Sequence, residues 1–256
     1  MTTLSYPLTP DEMMEQPLLE IFTVCWNEEK ILPDFIKWYR SRVPGCLITV
    51  YDNESDDRTF EIALDNECKV IPFNTGGYMD EQTLMNIRNN CWKQSKAKWC
   101  LVVDCDELVD VDDLILEPAA LLNGICDNIF QCEGYEMFGT EQDTIDTLTQ
   151  GCKSAGYCKP VLFRPDCFKE INLAPGSHSC NPIPKEGFTI KLGVGYPDMY
   201  HTKWRSWTNG IERARLLAKR RSEHSAKMGW NFHYGLDEAI HRDYYMRGME
   251  QRIKVR

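Results

Sequence analysis

The sequence lacks the patterns that direct a protein into or across a membrane. Its longest apolar runs, such as WCLVV (99–103), are far shorter than the roughly 20 residues that a membrane-spanning helix needs. Residues 1–16 have neither the basic start nor the apolar stretch of a secretory signal. Repeats and low-complexity tracts are also missing. We therefore expect a cytoplasmic, globular protein.

The twelve cysteines include no C-x-x-C pair. A disulfide scaffold is usually a shorter, secreted chain, so this spacing argues against one. Several cysteines lie in apolar runs, where a reduced thiol packs as a small apolar side chain. We expect reduced and mostly buried cysteines; a structural zinc site is the less favoured alternative.

Positive charge is scarce in most of the chain. Residues 201–256 carry 13 Lys and Arg against 6 Asp and Glu, whereas residues 1–200 have a net charge of −17. A nucleic-acid-binding protein needs a basic face on its main domain, so this acidic domain argues against that function. The basic tail could contact an anionic membrane surface, or it could simply be a solvated helix face.

Strands and helices alternate through the first half of the sequence. Apolar runs predict strands at 18–24, 45–52, 69–73 and 99–106, and helical spacing of apolar residues predicts helices at 29–42, 55–67 and 81–96. This alternation is typical of an α/β fold with a Rossmann-like, mostly parallel central sheet flanked by helices.

The pattern changes at about residue 128. Short, aromatic, turn-bounded segments then predict mixed strands, and residues 206–227 and 233–249 read as basic amphipathic helices. We divide the chain into an N-terminal arm, a main domain with two halves, and C-terminal basic helices. The boundaries are 1–17 for the arm, 18–127 and 128–205 for the two halves of the main domain (18–205), and 206–256 for the helices.

Polar residues follow all four predicted parallel strands. The segments are Trp26-Asn27-Glu28-Glu29, Asp52-Asn53-Glu54-Ser55-Asp56, Asn74-Thr75-Gly76-Gly77 and Asp104-Cys105-Asp106-Glu107. The carboxyl ends of parallel strands share one edge of the sheet, and ligands of open α/β sheets bind beyond that edge. The sequence therefore predicts a binding site there.

The fourth segment concentrates negative charge. Asp104 and Asp106 are two residues apart, so at a strand end they would project to the same side. Oxygen-only ligands suit a hard divalent ion such as Mg²⁺ or Mn²⁺. A solvated acidic turn is the alternative. We expect Glu107 to accept backbone hydrogen bonds or to support Asp106 rather than to bind metal.

This D-x-D pattern resembles the metal-binding motif of the GT-A glycosyltransferases, especially the family 2-like group. The stretches "VCWNEEKILPDFIKWYRSR", "TVYDNESDDRT" and "MNIRNNCW" are similar to the blocks that precede that motif, and "YEMFGT", "KPVLFRP", "GSHSCNP" and "YHTKWRS" are similar to later blocks. In the family the last block commonly reads His-Tyr-x-x-Lys-Ser, and this chain departs from it at Thr202 and Arg205. The resemblance covers roughly residues 18–227 and implies a GT-A fold.

The resemblance also implies roles for particular residues. The positions that match nucleotide-binding residues are Trp26, Glu28, Asp52, Arg88 and Asp104. The metal would be held by Asp106, with Asp104 and His201. Three of these residues have plainer alternatives: Trp26 could pack under the sheet edge, Arg88 could pair with surface carboxylates, and His201 could be a core-edge histidine. Residues 18–127 would form the nucleotide-binding half and 128–205 the acceptor half, and the C-terminal helices could cover the acceptor cleft, contact a membrane surface or join a further catalytic domain.

The second half should supply a base and further positive charge. Glu136 is our preferred catalytic base, barely ahead of Glu133 and Asp143, because a carboxylate must take the proton of the acceptor hydroxyl. His178 and Lys159 are weaker candidates for contact with the acceptor or a phosphate, and Arg164 could add positive charge.

The function expected from the sequence is a metal-dependent, inverting glycosyltransferase. It would use Mn²⁺ or Mg²⁺ to move a sugar from a UDP- or GDP-sugar to a hydroxyl acceptor, for which we expect a glycan. Two enzymatic alternatives fit less well: a nucleotidyltransferase needs a basic, Gly-rich loop where Trp26-Asn27-Glu28-Glu29 stands, and a haloacid-dehalogenase-type phosphohydrolase needs its D-x-D in the first strand. A non-catalytic sugar- or protein-binding domain is the third alternative.

Overall fold

The structure is a computed structural model that describes residues 16–112 and 128–256. The predicted arm at 1–17 therefore lies almost wholly outside the described residues. Within the described ranges, no helix is both long enough and apolar enough to cross a bilayer.

Four parallel strands form one side of the main sheet. They are β1 (Leu19–Cys25), β2 (Leu47–Asp52), β3 (Lys69–Pro72) and β4 (Trp99–Val102), and they lie in the order β3-β2-β1-β4. The helices between them are α1 (Leu32–Arg42), α2 (Thr59–Asp65) and α3 (Glu81–Asn90). The predicted alternation and parallel pairing are confirmed, and they give the Rossmann-like layout that the resemblance to the GT-A enzymes implies.

The predicted elements differ from the observed ones mainly at their carboxyl ends. Helix α2 stops at Asp65 because Glu67 has a left-handed φ of 53°, and α3 stops at Asn90 rather than at residue 96. Strand β4 ends at Val102, because the backbone N–H of Glu107 donates to the carbonyl oxygen of Asp104 and closes a turn. Asp104 and Asp106 therefore lie in a turn after the strand, where the side-to-side alternation of a strand no longer applies.

The later strands are mixed in direction, as predicted. They are β5 (Glu107–Val109), β6 (Ile129–Met137), β7 (Gln150–Lys153), β8 (Leu162–Phe163), β9 (Phe168–Glu170), β10 (Ile183–Pro184), β11 (Leu192–His201) and β12 (Ile253–Lys254). Strand β8 lies antiparallel to β4 and continues the sheet through β6, β7 and β12, while β9 and β10 form a separate ribbon. Strand β11 pairs in parallel with β6 and antiparallel with β5.

The C-terminal region contains three α-helices within the described residues. They are α4 (Trp207–Arg220), α5 (Glu223–Lys227) and α6 (Glu238–Gln251), with a 3₁₀ turn at Phe232–Gly235. The predicted helix at 206–227 is broken at Arg221, whose ψ of 119° is extended, and α5 restarts with Ser222 as its N-cap. The break has a local cause, because the N–H of Met79 bonds to the carbonyl oxygen of Arg220 and Arg221 forms a parallel bridge with Met79.

Hydrophobic side chains pack against both faces of the sheet. Phe35 and Tyr39 of α1 are inaccessible to solvent against the sheet, and Trp92 and Phe163 pack edge to face on the other side. A smaller apolar cluster joins Phe138 to Trp204 and Tyr245, and so docks α6 beside β6.

Candidate active site

A cleft lies beyond the carboxyl ends of β1, β2 and β4. Trp26, Glu28 and Asn53 line it from the first two strand ends, and the turn after β4 contributes Asp104 and Asp106. The opposite wall comes from α4 and from the segment that follows α5. Residues from the first, second and fourth strand-end segments singled out in the sequence thus meet in one cavity, covered by C-terminal elements, whereas the segment Asn74-Thr75-Gly76-Gly77 does not line it.

Asp104 faces α3. Its Oδ1 accepts a hydrogen bond of 2.8 Å from Nη2 of Arg88, whose Nη1 donates to Glu81 at 2.9 Å. Burial raises the pKa of the Asp104 carboxyl, but the Arg88 guanidinium outweighs that effect and holds the pKa below its usual value. Asp104 is therefore ionised at neutral pH and fixed by a buried arginine.

Asp106 faces the C-terminal half. Its Oδ2 lies 3.2 Å from Nε of Arg213 and 3.5 Å from Nε2 of His201. Burial raises the pKa of this carboxyl, but the charge of Arg213, with that of His201, holds it well below its usual range. Asp104 and Asp106 therefore have different partners, one on each side of the cleft.

Glu107 stabilises the turn that carries both aspartates. Its Oε2 accepts from the backbone N–H of Asp104 at 3.2 Å, and its Oε1 accepts from Nζ of Lys159. Glu107 and Lys159 are both almost inaccessible to solvent. This is the supporting arrangement expected for Glu107, and it holds Lys159 at the cleft wall.

His201 is the last residue of β11, and its neighbours follow from the strand register. It lies opposite Glu136 on β6 and opposite Glu107 on β5. Its Nδ1 is 2.6 Å from Oε1 of Glu136, and its ring stacks on Tyr157 with 3.9 Å between centroids. Burial lowers the pKa of His201, but Glu136 and Asp106 raise it to about 9. Its Nε2 contacts Oδ2 of Asp106 at 3.5 Å, and both residues line the cleft.

Two arginines of α4 cover the tip of β1. Nη1 of Arg213 donates to both carboxylate oxygens of Glu28 at 2.6 Å, and the Arg220 guanidinium lies 3.4 Å from the centre of the Trp26 ring. Burial raises the pKa of Glu28 to about 7 against the opposing effect of Arg213. Arg220 is buried, and its Nη2 has no hydrogen-bond partner within the described part of the chain.

Arg213 and Arg220 were not among the site residues predicted from the sequence. The sequence does contain a pattern that links them. Residues seven apart on a helix lie on the same face, so Arg213 and Arg220 project from the same face of α4. The C-terminal helices were expected to cover the acceptor cleft, to contact a membrane surface or to be solvated, and no individual residue of them was assigned a role.

Of the remaining predicted site residues, one lines the cleft and the others lie outside it. Asp52 does not line the cleft; its carboxylate accepts from the hydroxyl and backbone N–H of Ser55 and so fixes the turn after β2. His178 does line the cleft, with Nδ1 2.8 Å from the carbonyl oxygen of Gly156. The three candidates for the base are not among the cleft-lining residues; they are Glu133, Glu136 and Asp143.

The expected divalent cation fits this cleft only as an ion with few protein ligands. Within residues 16–112 and 128–256, no group of three or more His, Cys, Asp or Glu side chains is arranged to hold a metal. Asp106 and His201 offer two donor atoms 3.5 Å apart, close enough for both to contact one ion with bonds of about 2.1 Å. Mg²⁺ is commonly bound by one or two carboxylates and completed by substrate phosphates, and a metal-ligating histidine usually donates its other N–H to a carboxylate. The pair therefore suits an ion that arrives with a diphosphate.

Part of this chain is similar in structure to known proteins. No protein-family profile matches the sequence, and no curated protein is significantly similar to it. The structure of S. aureus TarS 1–349 shares 15% identity over 79% of this chain, with a TM-score of 0.44, and this chain spans 65% of that protein. The structure of the same protein in complex with UDP-GlcNAc shares 16% identity with this chain. The match covers 79% of this chain and 66% of that chain, with a TM-score of 0.43.

A further match is to glucosyl-3-phosphoglycerate synthase from Mycobacterium tuberculosis, in complex with Mn²⁺, UDP and glucosyl-3-phosphoglycerate. It covers 52% of this chain and 50% of that chain at 15% identity, with a TM-score of 0.33. Similarity of this degree carries no activity over to this chain.

Proposed function

We propose that this chain is a glycosyltransferase that uses a nucleoside-diphosphate sugar. The observation that carries the proposal is the pair formed by Asp106 and His201, 3.5 Å apart in the wall of a cleft that is also lined by Arg213 and Lys159. A diphosphate carries concentrated negative charge, and it is bound where fixed cations and metal-ligating side chains converge. Trp26 also lines the cleft, with the Arg220 guanidinium stacked on one face of its ring.

Each group has a distinct part in such a reaction. A divalent cation held by Asp106 and His201 would supply positive charge to the departing diphosphate. Arg213 and Lys159 add fixed positive charge from α4 and from the segment before β8. Arg88 keeps Asp104 ionised and in place. Residues of α4 and of the 3₁₀ turn form one wall of the cleft.

The proposal includes inverting transfer to a hydroxyl group of a glycan. In such a reaction a carboxylate takes the proton of the attacking hydroxyl within hydrogen-bond reach. Glu136 remains the residue that the sequence favours for this role, yet it is 3% exposed and does not line the cleft. Its contacts with His201 and Tyr244 support a different role.

A thermal-shift panel tests the proposal. The protein is heated with UDP, GDP, CDP or ADP, each with Mn²⁺ and again with EDTA. A ligand at about 100 times its Kd stabilises the folded state by roughly 2.7 kcal/mol, which is readily measured. We expect one nucleotide to stabilise the protein, and to do so only with Mn²⁺.

The variant Asp106→Asn should remove the Mn²⁺-dependent shift, because one of the two metal-ligating side chains is lost. Asp110→Asn is the matched control, since Asp110 belongs to the same acidic stretch but does not line the cleft. If no nucleotide stabilises the wild-type protein under either condition, the proposal is wrong. A stabilising nucleotide should then be tested as its sugar conjugate, with release of the free nucleoside diphosphate as the readout.

A further inference from the structure

Glu136 lies behind His201 as seen from the cleft. One ring nitrogen of His201, Nε2, points at Asp106 and the cleft, and the other, Nδ1, is 2.6 Å from Oε1 of Glu136. The two residues are register partners on adjacent parallel strands, so the backbone fixes this contact. A carboxylate in this position accepts a hydrogen bond from Nδ1–H and leaves Nε2 directed toward the cleft.

The second oxygen of Glu136 is also occupied. Its Oε2 accepts a hydrogen bond of 3.2 Å from the hydroxyl of Tyr244 on α6. The ring of Tyr157 covers one face of His201, with the two planes only 16° from parallel. Histidine ring and carboxylate are thus held on several sides, and neither oxygen of Glu136 is directed at an incoming substrate.

We propose that Glu136 is a positioning residue for His201, that Tyr244 holds it in place, and that it is not the general base. This inference rests on the proposed function, because it assumes that Nε2 of His201 ligates a divalent cation. Ligation needs the lone pair of Nε2, so a bound cation would displace the proton that Nε2 carries in the imidazolium form, while the carboxylate keeps the proton on Nδ1 and fixes the ring orientation. Partners of this kind typically change metal affinity by about 10- to 100-fold when they are removed.

The C-terminal helix α6 is part of this arrangement. Gly248 lies so close to β6 that a Cβ atom there would be 2.2 Å from Cζ of Phe138. This close packing brings Tyr244, one turn earlier on α6, next to Glu136. The residues after 206 therefore contribute to the site from two directions, through Arg213 in the cleft and through Tyr244 behind it.

The test compares Glu136→Gln with Glu136→Ala. Titration calorimetry measures the affinity for Mn²⁺ in the presence of the nucleotide found above, and an assay with the sugar donor measures turnover. A glutamine oxygen can still accept from Nδ1, so we expect Glu136→Gln to keep most of the metal affinity and turnover. Glu136→Ala should lose about 10- to 100-fold in Mn²⁺ affinity. Tyr244→Phe should show a smaller loss of affinity, and this variant keeps the fold should the alanine variant fail to fold.

Glu133→Gln is the matched control, because Glu133 is on the same strand but pairs with the exposed Lys153. A general base would behave differently: Glu136→Gln would then lose turnover by about 10²- to 10⁴-fold with unchanged Mn²⁺ affinity, and the inference would be overturned. Unchanged Mn²⁺ affinity in both Glu136→Ala and Tyr244→Phe would overturn it as well. Failure of the proposed function is seen separately, in a wild-type protein that binds no nucleotide with Mn²⁺.

Discussion

One guanidinium, that of Arg213, joins Glu28 to Asp106. Its Nη1 contacts both oxygens of Glu28 at 2.6 Å, and its Nε lies 3.2 Å from Oδ2 of Asp106. The acidic turn after β4 is therefore neutralised by side chains of the protein itself. A divalent cation at Asp106 must share this carboxylate with Arg213.

We expect Arg213→Ala to lower the free energy of unfolding by about 3 kcal/mol, because two buried carboxylates lose their partner. Urea unfolding measures this change. Arg215→Ala is the control on the same helix, and its exposed pair with Glu238 should contribute at most about 0.5 kcal/mol. If Asp106 binds metal, Mn²⁺ with nucleotide should restore part of the lost stability. Equal effects of the two variants would contradict the assigned role of Arg213.

The buried pair of Glu107 and Lys159 gives a second prediction. Lys159→Met leaves Glu107 buried without its cation, and we expect a loss of about 3–5 kcal/mol in the free energy of unfolding. Adding Glu107→Gln should recover a large part of that loss, since a glutamine oxygen can still accept from the N–H of Asp104. Lys153→Met, at an exposed pair, is the control. A double variant no more stable than the single one would argue against this explanation.

The close packing at Gly248 gives a third prediction. Gly248→Ala should destabilise the protein by about 1–3 kcal/mol, because a Cβ atom would overlap the Phe138 ring and force α6 outward. Gly235→Ala is the matched control, since no atom lies within 4 Å of a Cβ built there. Thermal unfolding of both variants checks the difference. An unchanged melting temperature for Gly248→Ala would show that α6 can move without cost.

The raised pKa of Glu28 predicts a pH dependence of stability. Between pH 4.5 and about 7 the unfolded chain releases this proton while the folded protein keeps it, because burial raises the folded-state pKa to about 7. The contribution of Glu28 to the free energy of unfolding should therefore fall by about 3 kcal/mol as pH rises across this window. The check is urea unfolding of wild type and Glu28→Gln at several pH values. We expect wild type to lose stability relative to Glu28→Gln as pH rises; a wild type that instead gains stability relative to the variant would mean that Arg213 lowers the pKa of Glu28.

Much of the fold could be predicted because the parallel strands are continuous apolar runs with polar residues at their ends. The same reasoning predicted that Glu28, Asp104 and Asp106 lie together at one edge of the sheet. The exact turn after β4 could not be predicted, since it depends on a hydrogen bond between Glu107 and Asp104.

The opposite wall of the site was harder to predict. The spacing of Arg213 and Arg220 shows that they share a helix face, but only the docking of α4 decides that this face covers the cleft. Likewise, the register of β6 and β11 places Glu136 against His201. A sequence records no register, so a carboxylate behind the histidine looks the same as one facing the substrate.

The distance along the chain between Glu28 and Arg213 has a consequence for biosynthesis. They are 185 residues apart, so at about 5–20 residues per second the ribosome adds the arginine roughly 10 to 40 seconds after the glutamate. During this interval the first four strands can pair, but their acidic ends lack the guanidinium that will neutralise them. The nascent sheet edge must stay hydrated or be screened by dissolved ions until α4 has been synthesised and docks.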